Sequence, residues 1–204
     1  MKMGQYFKAV LVNGNNVEVH ASWPYNNGAK QVEHCYRGND YTEAVMERIR
    51  KLGPTRLVWM GDYADEVLDE MIEKSGDNEE RKYHNEFLKT LYRVAWRSYL
   101  KDGISVESPF KTYTPIDDWE KNRKMYYVAN LSKQEYVMVL PYVSSQDTPV
   151  VHPVPLLCSV RGGGGGDYHG MDEDLLGRWA GDMLTITTKK PPMKELKTNF
   201  MVEW

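Results

Sequence analysis

The sequence predicts an α+β fold in which two pseudo-repeated units, each containing a β-hairpin, form a mixed or antiparallel sheet with helices inserted between them. Three observations predict it. Apolar residues alternate on both sides of turn signals at Asn13-Gly14-Asn15-Asn16 and near Ser132-Lys133-Gln134. A helical apolar period is concentrated in the stretch before residue 101, between those hairpins. Motifs recur in one order along the chain. Tyr6-x-x-Ala9-x-Leu11 returns as Tyr126-x-x-Ala129-x-Leu131, and Trp59-x-Gly61-Asp62 returns at the same offset as Trp179-x-Gly181-Asp182. Cys35-Tyr36-Arg37-Gly38 is echoed by Cys158-Ser159-Val160-Arg161-Gly162, and Asp40-Tyr41 by Asp167-Tyr168.

The elements follow in order. Residues 5–22 read as the first hairpin, and 30–36 as a short strand. Asn39 or Asp40 caps a helix to Leu52, which Gly53-Pro54 stops. Arg56–Met60 is strand-like, and Asp62 is placed to cap a helix carrying Val67, Leu68, Met71 and Ile72. Ser75-Gly76-Asp77-Asn78 breaks it, and a helix over 79–101 follows, with Phe87, Leu88, Leu91, Val94 and Ala95 on one stripe. Residues 103–122 form a connection with Pro109 and Pro115. Tyr126–Leu131 and Tyr136–Leu140 form the second hairpin. Residues 141–155 read as extended, Leu156–Val160 and Met183–Thr187 as strands, Leu175–Trp179 as a helical turn, and the tail from Lys189 as irregular. The implied division is 1–63, a helical insertion at 64–102, a connection at 103–124, a second unit at 125–188 and a tail at 189–204, all within one compact domain.

Composition narrows the function. Hydrophobic residues at 41% and charged residues at 27% fit a globular domain, and a net charge of −3 gives no general attraction to nucleic acid. No run is long enough to span a membrane, and the start lacks a secretory apolar region, so a cytoplasmic location is expected. Two distant cysteines make no disulfide framework, and no zinc-ligand spacing is present, so neither metal nor cofactor is expected.

The glycine run Gly162, Gly163, Gly164, Gly165 and Gly166, between Arg161 and Asp167-Tyr168-His169-Gly170, reads either as an anion cradle or as a close backbone crossing. Its spacing matches neither a phosphate-binding loop of the Gly-Lys-Ser/Thr type nor a dinucleotide fingerprint. Arg37 and Arg161, placed across a pseudo-axis, suit a ligand with two anionic groups such as a dinucleotide; alternatively each holds its own loop. Tyr41 and Tyr168 are candidates to stack on bases. Catalytic candidates are Asp167 and His169 as acid and base and Cys158 as nucleophile, with Cys35 at the matching place. Asp62 and Asp182 read as caps or as a carboxylate pair. The acidic stretch 62–80 is either a docking face or a solvated face beside the basic helix that follows.

Met3-Gly4-Gln5-Tyr6-Phe7, Trp59-Met60-Gly61-Asp62-Tyr63, His152-Pro153-Val154-Pro155-Leu156-Leu157, Gly164-Gly165-Gly166-Asp167-Tyr168-His169-Gly170 and Gly177-Arg178-Trp179-Ala180-Gly181-Asp182 together resemble a family of small uncharacterised bacterial and phage proteins. The resemblance implies accessory-gene content and a role in phage–host conflict, and it carries over no catalytic residue. The leading expectation is a protein that binds an anionic, nucleotide-like ligand or a defence-system partner at a cleft between the two units. An enzyme acting on nucleotides and an inhibitor docking through residues 62–80 are the alternatives. A homodimer is compatible with each.

Overall fold

The structure, a computed structural model, describes residues 4–21, 30–97, 125–140, 150–164 and 167–201. It is α+β, built on an eight-stranded mixed sheet. The strands are β1 (Phe7–Asn13), β2 (Asn16–Ala21), β3 (Thr55–Gly61), β4 (Tyr126–Asn130), β5 (Glu135–Val139), β6 (Ser159–Val160), β7 (Met183–Thr187) and β8 (Lys194–Glu195). Their order is β2-β1-β3-β7-β4-β5-β8, with β6 pairing β3 off this path. The β3–β6 and β5–β8 pairs are parallel, and the other pairs are antiparallel. Each hairpin pairs its first strand with a third strand, β1 with β3 and β4 with β7, and β3 and β7 meet in the middle. Gly14, at φ 58°, supplies the left-handed turn of the first hairpin.

Both faces of the sheet are buried at β1 and β3. On one face Phe7, Ala9, Leu11, Leu57 and Trp59 continue into Tyr126, Val128, Val137 and Val139, and pack against α2 (Asp40–Leu52) and α5 (Pro153–Leu157). On the other, Val10, Val19, Val58 and Met60 pack under α3 (Ala64–Glu73) and α4 (Glu79–Tyr92). This two-sided burial explains why β3 reads as a continuous apolar run rather than an alternation. A five-residue π turn, Arg93–Arg97, extends α4. Residues 98–101 of the expected long helix, the 103–122 connection and residues 141–149 lie outside the described residues.

Several local expectations are corrected. Residues 30–36 hold no strand but a four-residue helix, α1 (Gln31–His34), closed by the Glu33 carboxylate accepting from the Lys30 amide at 3.1 Å. Residues 153–157 are helical, because Pro153 opens α5 and His152 Nδ1 caps it by accepting from Val154 N at 3.3 Å. Only Ser159–Val160 of the expected Leu156–Val160 strand is a strand. The helical turn expected at Leu175–Trp179 comes earlier, as a 3₁₀ turn at Glu173–Leu175. Tyr63, not Asp62, is the N-cap of α3, and the Asp62 carboxylate accepts instead from Tyr6 N at 3.0 Å.

Some sequence echoes fall at like positions, with Ala9 and Ala129 on the first strands of the hairpins and Cys35 and Cys158 each closing a short helix, and others do not. Trp59 and Gly61 lie within β3, whereas Trp179–Asp182 form the turn before β7. Asp40-Tyr41 opens a helix, whereas Asp167-Tyr168 lies in an irregular segment.

Candidate functional site

The parallel strands β3 and β6 end side by side, and the segments beyond them, Asp62-Tyr63 and Arg161–Gly164, cross at close range. A Cβ on Gly162 would sit 1.9 Å from the Tyr63 carbonyl oxygen, and one on Gly164 would sit 2.2 Å from the Gln5 Cβ. These two glycines therefore answer to a backbone crossing. Gly163 is exposed, and Gly165 and Gly166 lie outside the described residues.

Gln5, fully buried at this crossing, fixes the loop. In the amide orientation that satisfies its neighbours, it donates to both Asp167 carboxylate oxygens, at 2.9 and 3.0 Å. Its own oxygen accepts from Gly162 N at 2.9 Å and Tyr63 N at 3.2 Å. The Asp167 carboxylate also accepts from the Gly164 amide. The anion that this glycine loop encloses is thus the chain's own Asp167. Burial raises the Asp167 pKa to about 6, with Arg161 and His169 pulling it down and Asp62 pushing it up. Arg161 donates to the Tyr168 carbonyl and lies 3.8 Å from the Glu173 carboxylate, so it holds its own loop. His169 points outward, 3.2 Å from Glu173.

Several other candidates are scaffold. Burial, with Asp182 adding to it, pushes the Cys158 thiol well above its ordinary range, and burial pushes Cys35 up to about 12; neither supplies a thiolate near neutral pH. Tyr41 is fully buried. Its hydroxyl accepts from Ala9 N at 2.7 Å and donates to the His20 carbonyl at 2.8 Å, bridging a pair of residues in the β1–β2 ladder. Tyr168 is equally buried, donating to Met171 O and accepting from Met201 N, with its ring packed edgewise on Phe200. Neither ring offers a face to a base.

The two tryptophans anchor the core through their indole N–H groups. Trp59 donates to His34 Nε2 at 2.6 Å, and burial pushes the His34 pKa down to about 3. Trp179 donates to Glu135 at 2.6 Å, a carboxylate also gripped twice by Arg178. Asp182 accepts from Asn130 and Lys133, both at 2.8 Å, and its carbonyl accepts from Leu57 N. Asp62 lies beyond the far end of β3, roughly 16 Å of extended chain from Leu57. The two aspartates therefore make no carboxylate pair. In the acidic stretch, Asp69 of α3 meets Lys89 of α4 at 2.7 Å, so the neighbouring basic helix answers part of that charge.

The second arginine loop is different. Cys35–Arg37 runs against Val150–His152 through Arg37 N to Val150 O at 2.9 Å and His152 N to Cys35 O at 3.0 Å. This leaves Arg37 at 5% exposure. Its Nε reaches the Val151 carbonyl only at 3.5 Å, and among the described residues its Nη1 has no partner. The Asn39 Oδ1 caps α2 by accepting from Thr42 N at 3.2 Å, and this leaves Asn39 Nδ2 buried without a partner. Burial lowers the Arg37 pKa, while Tyr126 and Glu43 oppose that shift. Beside it, His152 Nε2 and the Tyr126 hydroxyl lie 2.8 Å apart. Because His152 Nδ1 accepts from Val154, its Nε2 carries the proton and donates to the phenol oxygen. Burial and then Arg37 push the His152 pKa well below its ordinary value, so the ring stays neutral.

Among the described residues, four buried side-chain atoms lack a well-formed hydrogen bond: Gln31 Nε2, Arg37 Nη1, Asn39 Nδ2 and His34 Nδ1, the last of which the Lys30 carbonyl approaches only weakly. All are nitrogens in one nine-residue segment, and all are donors, since His34 Nε2 accepts from Trp59 and leaves the proton on Nδ1. Buried polar groups are ordinarily satisfied, so a cluster of orphan donors marks a place that lacks acceptors. Of the expected ligand-binding residues, only Arg37 has this property. Sequence reasoning missed Asn39, Tyr126 and His152 as its neighbours and Gln5 as the clamp of the glycine loop. Adjacency of Asn39 to Arg37-Gly38 was the one available signal. Comparison of the chain with protein-family models, with curated proteins and with solved structures finds no match in any of the three.

Proposed function

We propose that this chain is a small-ligand-binding protein that holds an anion on Arg37. The site is lined by Arg37 and Asn39 from the first half of the chain and by Tyr126, Val151 and His152 from the second. One observation carries the reading: an arginine at 5% exposure whose side chain makes, among the described residues, one hydrogen bond, at 3.5 Å. Glu43 offsets this buried charge only in part, and a bound anion would offset the rest while satisfying the free N–H group. The alternative, acid–base catalysis by Asp167, is weaker because both carboxylate oxygens are already engaged by Gln5.

The test is thermal unfolding of the chain and of Arg37→Met with formate, acetate or phosphate replacing chloride at constant ionic strength. An anion that binds only the folded chain raises Tm in the parent and not in the variant. Equal shifts in both, or none, remove Arg37 as the site.

A further inference from the structure

Resting on the Arg37 reading, we infer that the ligand is a small monocarboxylate rather than a phosphate or nucleotide. The charge around the guanidinium decides this. Arg37 brings one positive charge, and the half-buried Glu43 is close enough to act on it electrostatically. His152 adds no second positive charge, because burial and Arg37 both oppose its protonation. The other orphan donor in the loop, Asn39 Nδ2, is a neutral amide.

The backbone donors that could cradle a phosphate are already used. Arg37 N donates to Val150 O, Gly38 N donates to the Glu43 carboxylate at 3.1 Å, and Asn39 N donates to Tyr36 O at 3.3 Å. A phosphate near neutral pH carries close to two charges and takes up many donors. Here it would face one shared charge and few free N–H groups. A carboxylate carries one charge, and its two oxygens match the planar fork of a guanidinium. The rest of the ligand would meet Tyr126 and Val151, the apolar residues beside the guanidinium.

Titration calorimetry on the full chain tests the class, using acetate, propanoate, benzoate, inorganic phosphate and adenosine monophosphate at one ionic strength and pH 7. At least one carboxylate is expected to bind ten-fold or more tightly than phosphate. Arg37→Lys keeps the charge but loses the fork, and should weaken that binding at least ten-fold. Glu43→Gln keeps an acceptor for Gly38 N and removes the opposing charge, and should shift the preference several-fold toward phosphate.

Phosphate or the nucleotide binding more tightly than every carboxylate, and losing affinity in Arg37→Lys, overturns the carboxylate class and leaves the Arg37 site standing. Binding that ignores both Arg37→Lys and Arg37→Met overturns the site and the class together, as does no binding by any of the five.

Discussion

Arg37-Gly38-Asn39 and Arg161–Gly164 are echoes of one another in sequence and opposites in structure. The glycine-rich loop has the composition of a ligand cradle, yet its contacts are filled by the chain itself. Its arginine holds the Tyr168 carbonyl, two of its glycines make room for Gln5 and Tyr63, and its amides face Gln5 and Asp167. The plainer loop has one glycine and is nearly closed to solvent, but it leaves Arg37 and Asn39 nitrogens without acceptors. A glycine run signals close approach of backbone, and what approaches can be the protein itself. Unmet donors are the better pointer to a ligand, because folding pays a penalty for each of them.

The comparison can be broken most forcefully in the glycine loop. Gly162→Ala should destabilise the chain by about 3 kcal/mol or more in urea unfolding, because its Cβ would collide with the Tyr63 backbone. Gly163→Ala, at an exposed position without a positive φ, should change stability by less than about 0.5 kcal/mol. Equal effects would mean that the crossing does not set the glycines.

Asp167 gives the next largest effect. Its pKa rises from an ordinary 3.8 to about 6 on folding, so the unfolded chain binds fewer protons between those values. Its contribution is therefore most favourable below pH 4 and falls as pH rises to about 6, by at most about 2–3 kcal/mol, because the two Gln5 amide bonds to the carboxylate oppose the rise. Unfolding free energies measured at pH 4 and pH 7 should show this fall in the parent and lose it in Asp167→Asn.

The arginines themselves sharpen the contrast. In ligand-free protein Arg37→Met should leave stability unchanged or raise it by about 1–2 kcal/mol, since it removes a buried charge that Glu43 offsets only in part. Arg161→Met should lower it by about 1 kcal/mol through the lost bond to the Tyr168 carbonyl. Smallest of all, Cys35 and Cys158 should stay unlabelled by a thiol reagent in native protein and react fully in denaturant.

The parts legible in the sequence are those with local cause. Both hairpins, the Asn39 cap, the Gly53 stop and the apolar run of β3 follow from turn chemistry and burial, and each falls within a residue or two of its expected place. Helices of four and five residues give no usable period, so the sequence of α1 reads as a strand and that of α5 as extended chain to Pro155 and a strand from Leu156. In α5 the prolines that argue against a helix instead open one, once His152 caps it. The two-residue strand β8 forms because Lys194 and Glu195 meet β5, and nothing local requires it. Arg37 was identifiable as a candidate, but its unmet state depends on Val150–His152 arriving from the other half of the chain. Tyr41 and Tyr168 were expected to face a ligand because tyrosines serve both pockets and cores. Only the partners of their hydroxyls separate the two roles, and both sets of partners lie within the fold.

The most direct measurement is the Arg37 Nε–H resonance in a heteronuclear NMR spectrum, assigned through its loss in Arg37→Lys and followed as acetate or propanoate is added. The account predicts a saturable shift of that resonance, with the Arg161 Nε–H resonance unmoved. A saturable shift at Arg161 with Arg37 unmoved, or no saturable shift at either, would contradict it.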